Sequence, residues 1–314
     1  MMRDDDGQSQ TLGRSVNRSP GSNVPSVIRS AANAQFRRLL ALSGSARARS
    51  QAGVVVLEGL HLLQEWQAAG VYAAERTKSP GAAADPERMA TPAPEASPGL
   101  LAIYFAERSM HEEPFAGWRV RHADRAFVLA DRLFERVSDV GHGVGPIAVI
   151  TQPSAPALPT AGCDIVYLDR IQDPGNVGTI LRTCAATGLR EVWCAPGTAA
   201  CWSPKVLRAA AGAHFRLSIR ESVVPDPGGP VALPPAWATV AAGGRSLYEC
   251  DLRDHALWLF GNEGQGLAPT LARHARSVTI PQVAAIESLN VGVAAALCLY
   301  EQWRQRGFPR AATG

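Results

Sequence analysis

The sequence predicts an α/β protein of two domains, in which a smaller N-terminal α/β domain precedes a C-terminal domain with a mostly parallel sheet. The length of 314 residues and the hydrophobic fraction of 46% allow a sizeable core in each domain. Residues 151–162 contain three prolines, which is typical of an interdomain linker. Beyond this linker, short apolar runs alternate with helical patterns, and such alternation favours parallel strands covered by helices on both faces.

The C-terminal domain, residues 163–314, supplies the clearest alternation. Its strand-like runs are residues 165–168, 191–195, 238–241, 257–260 and 277–280. Its helical patterns lie near residues 177–187, 204–211, 269–275 and 289–305. This succession of strands and helices is what predicts the parallel sheet.

The N-terminal domain, residues 26–150, is expected to be a small α/β unit. Its helical patterns cover residues 28–52 and 59–69, and its apolar or alternating runs cover residues 54–57, 100–106, 126–137 and 146–150. Residues 1–25 are polar and lack apolar periodicity, so we expect a disordered basic tail that cannot offset the entropy of ordering. Residues 76–99 carry five prolines and almost no large apolar side chain, which indicates an exposed loop insertion.

Charge is distributed unevenly along the chain. The net charge of +3 is too small to indicate nucleic-acid binding, but residues 1–50 alone hold eight arginines and three acidic residues. This excess makes the segment a candidate RNA-facing patch. A general preference for arginine is the alternative explanation, since only two of the 31 basic residues are lysines.

The composition also bears on compartment and metal binding. No apolar run approaches the roughly 20 residues that span a bilayer, and the first ten residues have no apolar core like that of a secretory signal. We therefore expect a cytoplasmic protein. The six cysteines are scattered singly, without a Cys-x-x-Cys pair or a histidine at metal-ligand spacing, so reduced thiols and no metal site are predicted.

Three segments place small or polar residues after predicted strands, at the edge where open α/β sheets bind ligands. The first runs from Leu168 to Arg182, and its apolar helical stripe leaves Asn176 and Arg182 on other faces of the helix. Asn176 could cap the helix or contact a ligand. Arg182 could be a catalytic cation or a solvated surface charge.

The second segment, residues 259–267, ends a strand in a glycine-rich turn that lets the backbone approach a ligand closely. It lacks the spacing of dinucleotide-binding and phosphate-binding loops. Glu263 could be a simple turn residue, or its carboxylate could fix a neighbouring arginine.

The third segment, residues 280–291, leads from a strand into an apolar helix. Ser288 could cap that helix and Asn290 could satisfy its first-turn groups, or both could contact a ligand. The three segments together, in this order and spacing, are much more specific than any one of them.

Together they resemble the SpoU/TrmH family of RNA 2′-O-ribose methyltransferases, within the SPOUT superfamily. The similar motifs are Asn176-x-Gly178-x-x-x-Arg182, Asn262-Glu263-Gly264-x-Gly266-Leu267, and Ile280-Pro281 with Glu287-Ser288-Leu289-Asn290-Val291. The resemblance is strong over Asp164–Arg304 and looser over residues 28–150, which are similar to the family's accessory substrate-binding domain. Gln282, Ala284 and Ala210 depart from the pattern, where the family usually has Met, Gly and Ser.

The resemblance implies a C-terminal chain threaded through a trefoil knot and a site for S-adenosylmethionine formed by the loops of that knot. The backbone of Leu259, Gly261, Ile280 and Leu289 would hold this cofactor. The cofactor would donate a methyl group to the 2′-hydroxyl of a ribose in structured RNA.

The same resemblance implies the catalytic residues Arg182, Asn176, Glu263, Ser288 and Asn290. Arg182 would activate the 2′-hydroxyl, Glu263 would orient Arg182, and Asn176 would contact the ribose or hold Arg182. Ser288 and Asn290 would shape the loop around the substrate.

The resemblance further implies a homodimer, whose active site can take residues from both chains. Ribosomal RNA is favoured as the substrate, and a transfer RNA ribose methyltransferase is the first alternative. A non-catalytic RNA-binding paralogue, or a methyltransferase that acts on a protein or small molecule, are alternatives from other classes.

Overall fold

The computed structural model describes residues 26–78, 99–140, 145–155, 162–226, 232–283 and 288–308. The predictions for residues 1–25, for most of the insertion at 76–99 and for the middle of the linker at 151–162 lie outside these residues. The described strands form one sheet of five strands and one of seven.

The N-terminal sheet has the order β1-β4-β3-β5-β2. Its strands are β1 (Val27–Ile28), β2 (Val54–Glu58), β3 (Leu100–Ala106), β4 (Ala126–Leu129) and β5 (Ile147–Thr151). β5 is antiparallel to β2 and β3, whereas β4 is parallel to β1 and β3. The apolar runs predicted at 54–57, 100–106 and 146–150 therefore correspond to strands of a mixed sheet.

The helices of this part differ in detail from the prediction. They are α1 (Ala34–Gly44), α2 (Ala46–Ala52), α3 (Leu60–Lys78), α4 (Phe115–Arg121) and α5 (Asp131–Phe134). The single helix predicted over 28–52 is wrong, because its first residue belongs to β1 and because Ser45 starts a second helix by accepting a hydrogen bond from the backbone N of Ala48 at 3.1 Å. α3 continues past residue 69 to Lys78, since residues 71–78 contain no proline and include good helix formers.

The C-terminal sheet has the order β10-β12-β9-β11-β6-β7-β8. Its strands are β6 (Ile165–Asp169), β7 (Glu191–Cys194), β8 (Ser218–Glu221), β9 (Ala236–Thr239), β10 (Arg245–Ser246), β11 (Leu257–Gly261) and β12 (Arg276–Thr279). Every neighbouring pair in this sheet is parallel, which confirms the predicted parallel α/β architecture.

Successive side chains of the central strands enter two different apolar clusters, one on each face of the sheet. In β6, Val166 and Leu168 belong to one cluster, and Ile165 and Tyr167 belong to the other. All four side chains are at most 1% exposed. The sheet is therefore covered on both faces, as its continuous apolar strands predict.

The helices of the C-terminal part are α6 (Pro174–Ala186), α7 (Pro204–Ala210), α8 (Pro269–Ala272) and α9 (Val291–Gln305). α6 packs closely on α7, because a Cβ added at Gly178 would lie 2.3 Å from the Cβ of Ala209. α9 packs on α6, where a Cβ added at Gly292 would lie 3.2 Å from Cγ2 of Thr179. These close contacts place the N-terminal ends of α6 and α9 next to each other.

The N-terminal and C-terminal parts touch through charged side chains. Nη1 of Arg208 lies 3.6 Å from a carboxylate oxygen of Glu58 and 3.5 Å from one of Asp139. Arg216 forms a second ion pair with Glu65 at 3.0 Å. The trefoil knot and the exact domain boundaries stay predictions. Within the described ranges, the structure contains no helix that is long and apolar enough to cross a membrane.

Candidate active site

A cavity of about 470 Å³ opens at the carboxyl ends of β9, β11 and β12. Parallel strands end at the same edge of a sheet, and this edge is where α/β folds bind ligands. The lining combines small, apolar and polar residues: Thr239, Val240, Ala241, Gly261, Asn262, Glu263, Gly266, Val278, Ile280, Gln282, Ser288, Leu289, Asn290, Val291 and Ala294. The second and third predicted segments therefore meet at one site.

The wall next to β11 is a tight turn at residues 262–266. Asn262 and Gly266 exchange backbone hydrogen bonds of 3.1 and 2.8 Å. Oδ1 of Asn262 also accepts from the backbone N of Gly264 and of Gln265, each at 3.0 Å. Gly266 has φ 65°, in the left-handed region that favours glycine. The glycine spacing of this segment thus follows from the turn.

Position 261 requires a glycine because of contacts inside the protein, whereas the sequence predicted a close approach of the backbone to a ligand. A Cβ at this position would lie 2.5 Å from the carbonyl carbon of Gly266 and from the backbone N of Leu267. The absence of a side chain therefore lets the 262–266 turn fold back on β11. Gly261 also lines the cavity, but the steric need for glycine arises inside the protein.

Asn176 connects the first predicted segment to the other two. Its Nδ2 donates to Oε1 of Glu263 at 2.9 Å, and its Oδ1 accepts from Nδ2 of Asn290 at 2.9 Å. We call this arrangement the Asn290–Asn176–Glu263 chain. Its members lie 87 and 114 residues apart in sequence, and together they join the starts of α6 and α9 to the 262–266 turn.

The first backbone N–H groups of α6 and α9 are satisfied by caps that differ from the expected ones. Asp173, not Asn176, caps α6, because its Oδ1 accepts from the backbone N of Asn176 at 2.8 Å. Asn290, not Ser288, caps α9, with its Oδ1 2.9 Å from the backbone N of Gly292. Ser288 lines the cavity and is exposed. Asn290 thus performs two functions, a cap through its oxygen and a site contact through its nitrogen.

Arg182 lies outside this hydrogen-bonded arrangement. It is exposed on α6, and its side chain makes no hydrogen bond or ion pair with the residues that the structure describes. The expected contact between Glu263 and Arg182 is absent from this part of the chain, since Glu263 accepts from Asn176 instead. Arg182 follows Asn176 by six positions along α6, which is more than one and a half helical turns. This spacing separates Arg182 from the loop formed by residues 262–266.

Three of the four predicted cofactor residues, Gly261, Ile280 and Leu289, line the cavity. Leu259 does not line it, because it is 1% exposed within β11. Its carbonyl oxygen accepts a hydrogen bond of 3.4 Å from Oγ1 of Thr239, which does line the cavity. Ala284 and Glu287 lie outside the described residues.

Sequence reasoning missed two parts of the site. Thr239, Val240 and Ala241 form a wall at the carboxyl end of β9, and their position at the end of a predicted strand was the available signal. Asp169 and Arg170, at the end of β6, lie inside the first predicted segment, but no role was predicted for them. Arg170 contacts the 262–266 turn, and Asp169 contacts Ala268 just after it. No motif singled them out.

Comparison with known proteins identifies a family model and several relatives that this chain matches. Residues 164–300 match the model of the SpoU rRNA Methylase family. The chain is 34% identical over 194 residues to an uncharacterized tRNA/rRNA methyltransferase of Synechocystis sp., a match that covers 58% of this chain and 68% of the relative. It is 31% identical over 179 residues to the 23S rRNA (guanosine(2553)-2′-O)-methyltransferase of Bacillus subtilis, covering 56% of this chain and 71% of that protein.

Solved structures share the fold at lower identity. The SpoU methyltransferase AviRb from Streptomyces viridochromogenes, in complex with the cofactor AdoMet, superposes with a TM-score of 0.69 and 23% identity, covering 88% of this chain and all of that one. An AdoMet-bound rRNA methyltransferase from Sinorhizobium meliloti superposes with a TM-score of 0.67 and 22% identity, covering 89% of this chain and 97% of that one. The motif residues lie together at the carboxyl edge of a parallel sheet. The family model and these relatives show that the chain belongs to the SpoU rRNA methylase family.

Proposed function

We propose that this protein transfers a methyl group from S-adenosylmethionine to the 2′-hydroxyl of a ribose in structured RNA, with ribosomal RNA as the favoured substrate. The observation that carries the proposal is the Asn290–Asn176–Glu263 chain at the rim of the cavity, with the exposed Arg182 on the same helix as Asn176. The Bacillus subtilis relative is named for this reaction on 23S rRNA, which supports ribosomal RNA over transfer RNA. The cytoplasmic location of this activity stays a prediction.

The cavity suits the proposed cofactor in size and lining. Its volume of about 470 Å³ falls in the range of small-molecule sites, roughly 300–1,000 Å³. Val240, Val278, Ile280 and Leu289 offer apolar surface for an adenine ring, and the backbone of the 262–266 turn offers polar groups. When bound, the sulfonium centre of S-adenosylmethionine supplies an activated methyl group, so no acid is needed for the neutral thioether that leaves.

The side chains at the rim would position the ribose and stabilise charge on its 2′-oxygen. The amide of Asn176 is held on both sides, by Glu263 and by Asn290, and would present a fixed surface to the substrate. A guanidinium is effectively always protonated, so Arg182 would act by orienting the hydroxyl and stabilising the developing alkoxide. The proton would leave to water or to a phosphate oxygen of the RNA.

The N-terminal part would contribute to RNA binding through its arginines. Arg37, Arg38 and Arg47 are exposed on α1 and α2. Arginine can pair with phosphates through two nitrogens and can stack on bases, which suits a structured RNA. This location agrees with the charge excess of residues 1–50.

We also propose that the protein acts as a homodimer through α9. Val293, Leu297 and Tyr300 are 48%, 37% and 44% exposed, and their spacing places them on one face of this helix. Apolar side chains grouped in this way on one helix indicate an interaction surface. A second copy on this face would lie beside α9, which packs on α6, the helix that carries Arg182.

The test is methyl transfer from tritiated S-adenosylmethionine to ribosomal RNA purified from cells that lack this gene, with transfer RNA from the same cells in parallel. We expect label in ribosomal RNA and a new 2′-O-methyl position on mapping. Label in transfer RNA alone would assign the alternative substrate. Binding of S-adenosylmethionine in calorimetry without transfer to any RNA would contradict the proposed reaction, and absence of binding would indicate the non-catalytic paralogue.

A further inference from the structure

An ion pair between a partly exposed arginine and a buried aspartate lies next to the 262–266 turn. Asp169 is the last residue of β6 and is 3% exposed, and it pairs with Gly261 of β11 across the sheet. Arg170 donates from Nε to Oδ1 of Asp169 at 3.0 Å and from Nη2 to Oδ2 at 3.1 Å. This two-point bond raises the pKa of Arg170 above its ordinary value and holds the guanidinium in one plane.

The side chains of the same pair are bonded to the end of the turn and to the residue that follows Leu267. Nη1 of Arg170 donates to Oε1 of Gln265 at 3.0 Å, and Nη2 lies 3.5 Å from the carbonyl oxygen of Gly266. Oδ2 of Asp169 accepts from the backbone N of Ala268 at 2.7 Å, just after the turn. The side chain of Arg170 thus contacts the far end of the turn and Asp169 its exit.

The backbone of Arg170 holds the near end of the turn. Its carbonyl oxygen accepts from Nδ2 of Asn262 at 2.8 Å. Arg170 has φ 57°, a left-handed conformation that residues other than glycine rarely adopt. Such a conformation persists where the surrounding structure requires it, and it occurs often at functional sites. Here it directs both the carbonyl oxygen and the side chain of one residue toward the same turn.

We propose that Arg170, held by Asp169, is a positioning residue for methyl transfer, an inference that rests on the proposed function. Glu263 lies in the middle of the turn, between the tethers at Asn262 and Gln265. Fixing both sides of Glu263 sets the position at which its carboxylate accepts from Asn176. Arg170 therefore acts on the reaction through Glu263, while the turn that it holds also forms a wall of the cavity.

Arg170→Lys is the sharpest test. A lysine keeps a cation beside the buried carboxylate of Asp169, but a single ammonium cannot also reach Gln265 in a fixed plane. We expect kcat with tritiated S-adenosylmethionine and ribosomal RNA to fall about tenfold, the size of effect given by loss of one positioning contact, with little change in melting temperature. Arg253→Lys is the matched control, because Arg253 makes a similar two-point bond to Asp251 on the surface, and neither residue lines the cavity.

A double-variant cycle separates positioning from general stability. If Arg170 acts through Glu263, Arg170→Lys added to Glu263→Ala, which removes the acceptor for Asn176, should slow kcat no further than Glu263→Ala alone. Should Arg170→Lys lower the melting temperature by several degrees, Gln265→Ala takes its place, since it removes one tether and leaves the ion pair intact. A kcat within twofold of wild type for the folded variant, or effects that multiply in the double variant, would overturn the inference. A wild-type protein without methyl transfer would instead refute the proposed function itself.

Discussion

Asn290 combines a structural and a site contact in one side chain, and a single substitution can separate them. In Asn290→Asp, the remaining Oδ1 can still accept from the backbone N of Gly292 and Val293, so the cap of α9 is retained. The other atom becomes an oxygen, which faces Oδ1 of Asn176 where a donor stood at 2.9 Å. The substitution therefore breaks the Asn290–Asn176–Glu263 chain and leaves the helix intact.

The expected magnitudes differ for stability and for rate. A carboxylate at a helix N-terminus is favourable by about 0.3–1 kcal/mol, which offsets the lost hydrogen bond to Asn176, so Asn290→Asp should unfold close to the wild-type temperature. Asn290→Ala loses the cap as well and should lose about 1 kcal/mol of stability. One lost site hydrogen bond of about 1.4 kcal/mol corresponds to about tenfold in kcat, which both variants should show.

Asn33 provides a matched control. It caps α1 in the same way, with its Oδ1 2.9 Å from the backbone N of Gln35 and 3.3 Å from that of Phe36. Asn33→Asp and Asn33→Ala should show the effect of the cap alone in thermal unfolding, while kcat stays at the wild-type value. If Asn290→Asp is as active as wild type, the chain of amides does not position the substrate, and the assigned role of Asn290 is wrong.

Three further outcomes are expected. Arg182→Ala should reduce kcat by about 100-fold or more, with melting temperature and cofactor affinity close to wild type because this side chain is exposed; activity within tenfold of wild type would contradict its role. Gly261→Ala should weaken S-adenosylmethionine binding at least about tenfold in calorimetry, since its Cβ would meet backbone at 2.5 Å, whereas Gly264→Ala, with its nearest contact at 3.6 Å, should bind normally. Burial lowers the pKa of His214 from 6.5 to about 4, so the unfolded state binds more protons between these values. Stability is then complete above pH 6.5 and falls as the pH drops toward 4, by an amount on the order of 3 kcal/mol, and denaturant unfolding of His214→Gln should show a weaker pH dependence.

The strands of the C-terminal sheet were predictable where they are buried on both faces. Residues 165–168 and 257–260 are continuous apolar runs, and both lie in central strands. β8 has the polar sequence Ser-Ile-Arg-Glu and β10 has only two residues, and both lie at sheet edges. Edge strands take their backbone partners from the fold and not from a hydrophobic pattern, so sequence reasoning did not find them.

The candidate site was predictable as a set of segments but not as a set of contacts. The motifs placed Asn176, Glu263 and Asn290 at the same edge of the sheet, and the structure brings them together. The choice of partner for Glu263 depends on how far α6 projects past the 262–266 turn, which residue type and spacing do not reveal. Tertiary packing therefore decided that Asn176, and not Arg182, contacts this carboxylate.

The Asn290–Asn176–Glu263 chain also explains why an amide is needed at its centre. Glu263 offers only acceptor atoms, and Asn290 has its oxygen engaged by the cap of α9, so it can offer only a donor. The central side chain must therefore donate on one side and accept on the other at a fixed separation. An aspartate at position 176 would present oxygen to Glu263, and a serine would be too short to reach both partners. An asparagine satisfies both demands with one rigid planar group, and its orientation is set by contacts to the 262–266 turn and to the start of α9.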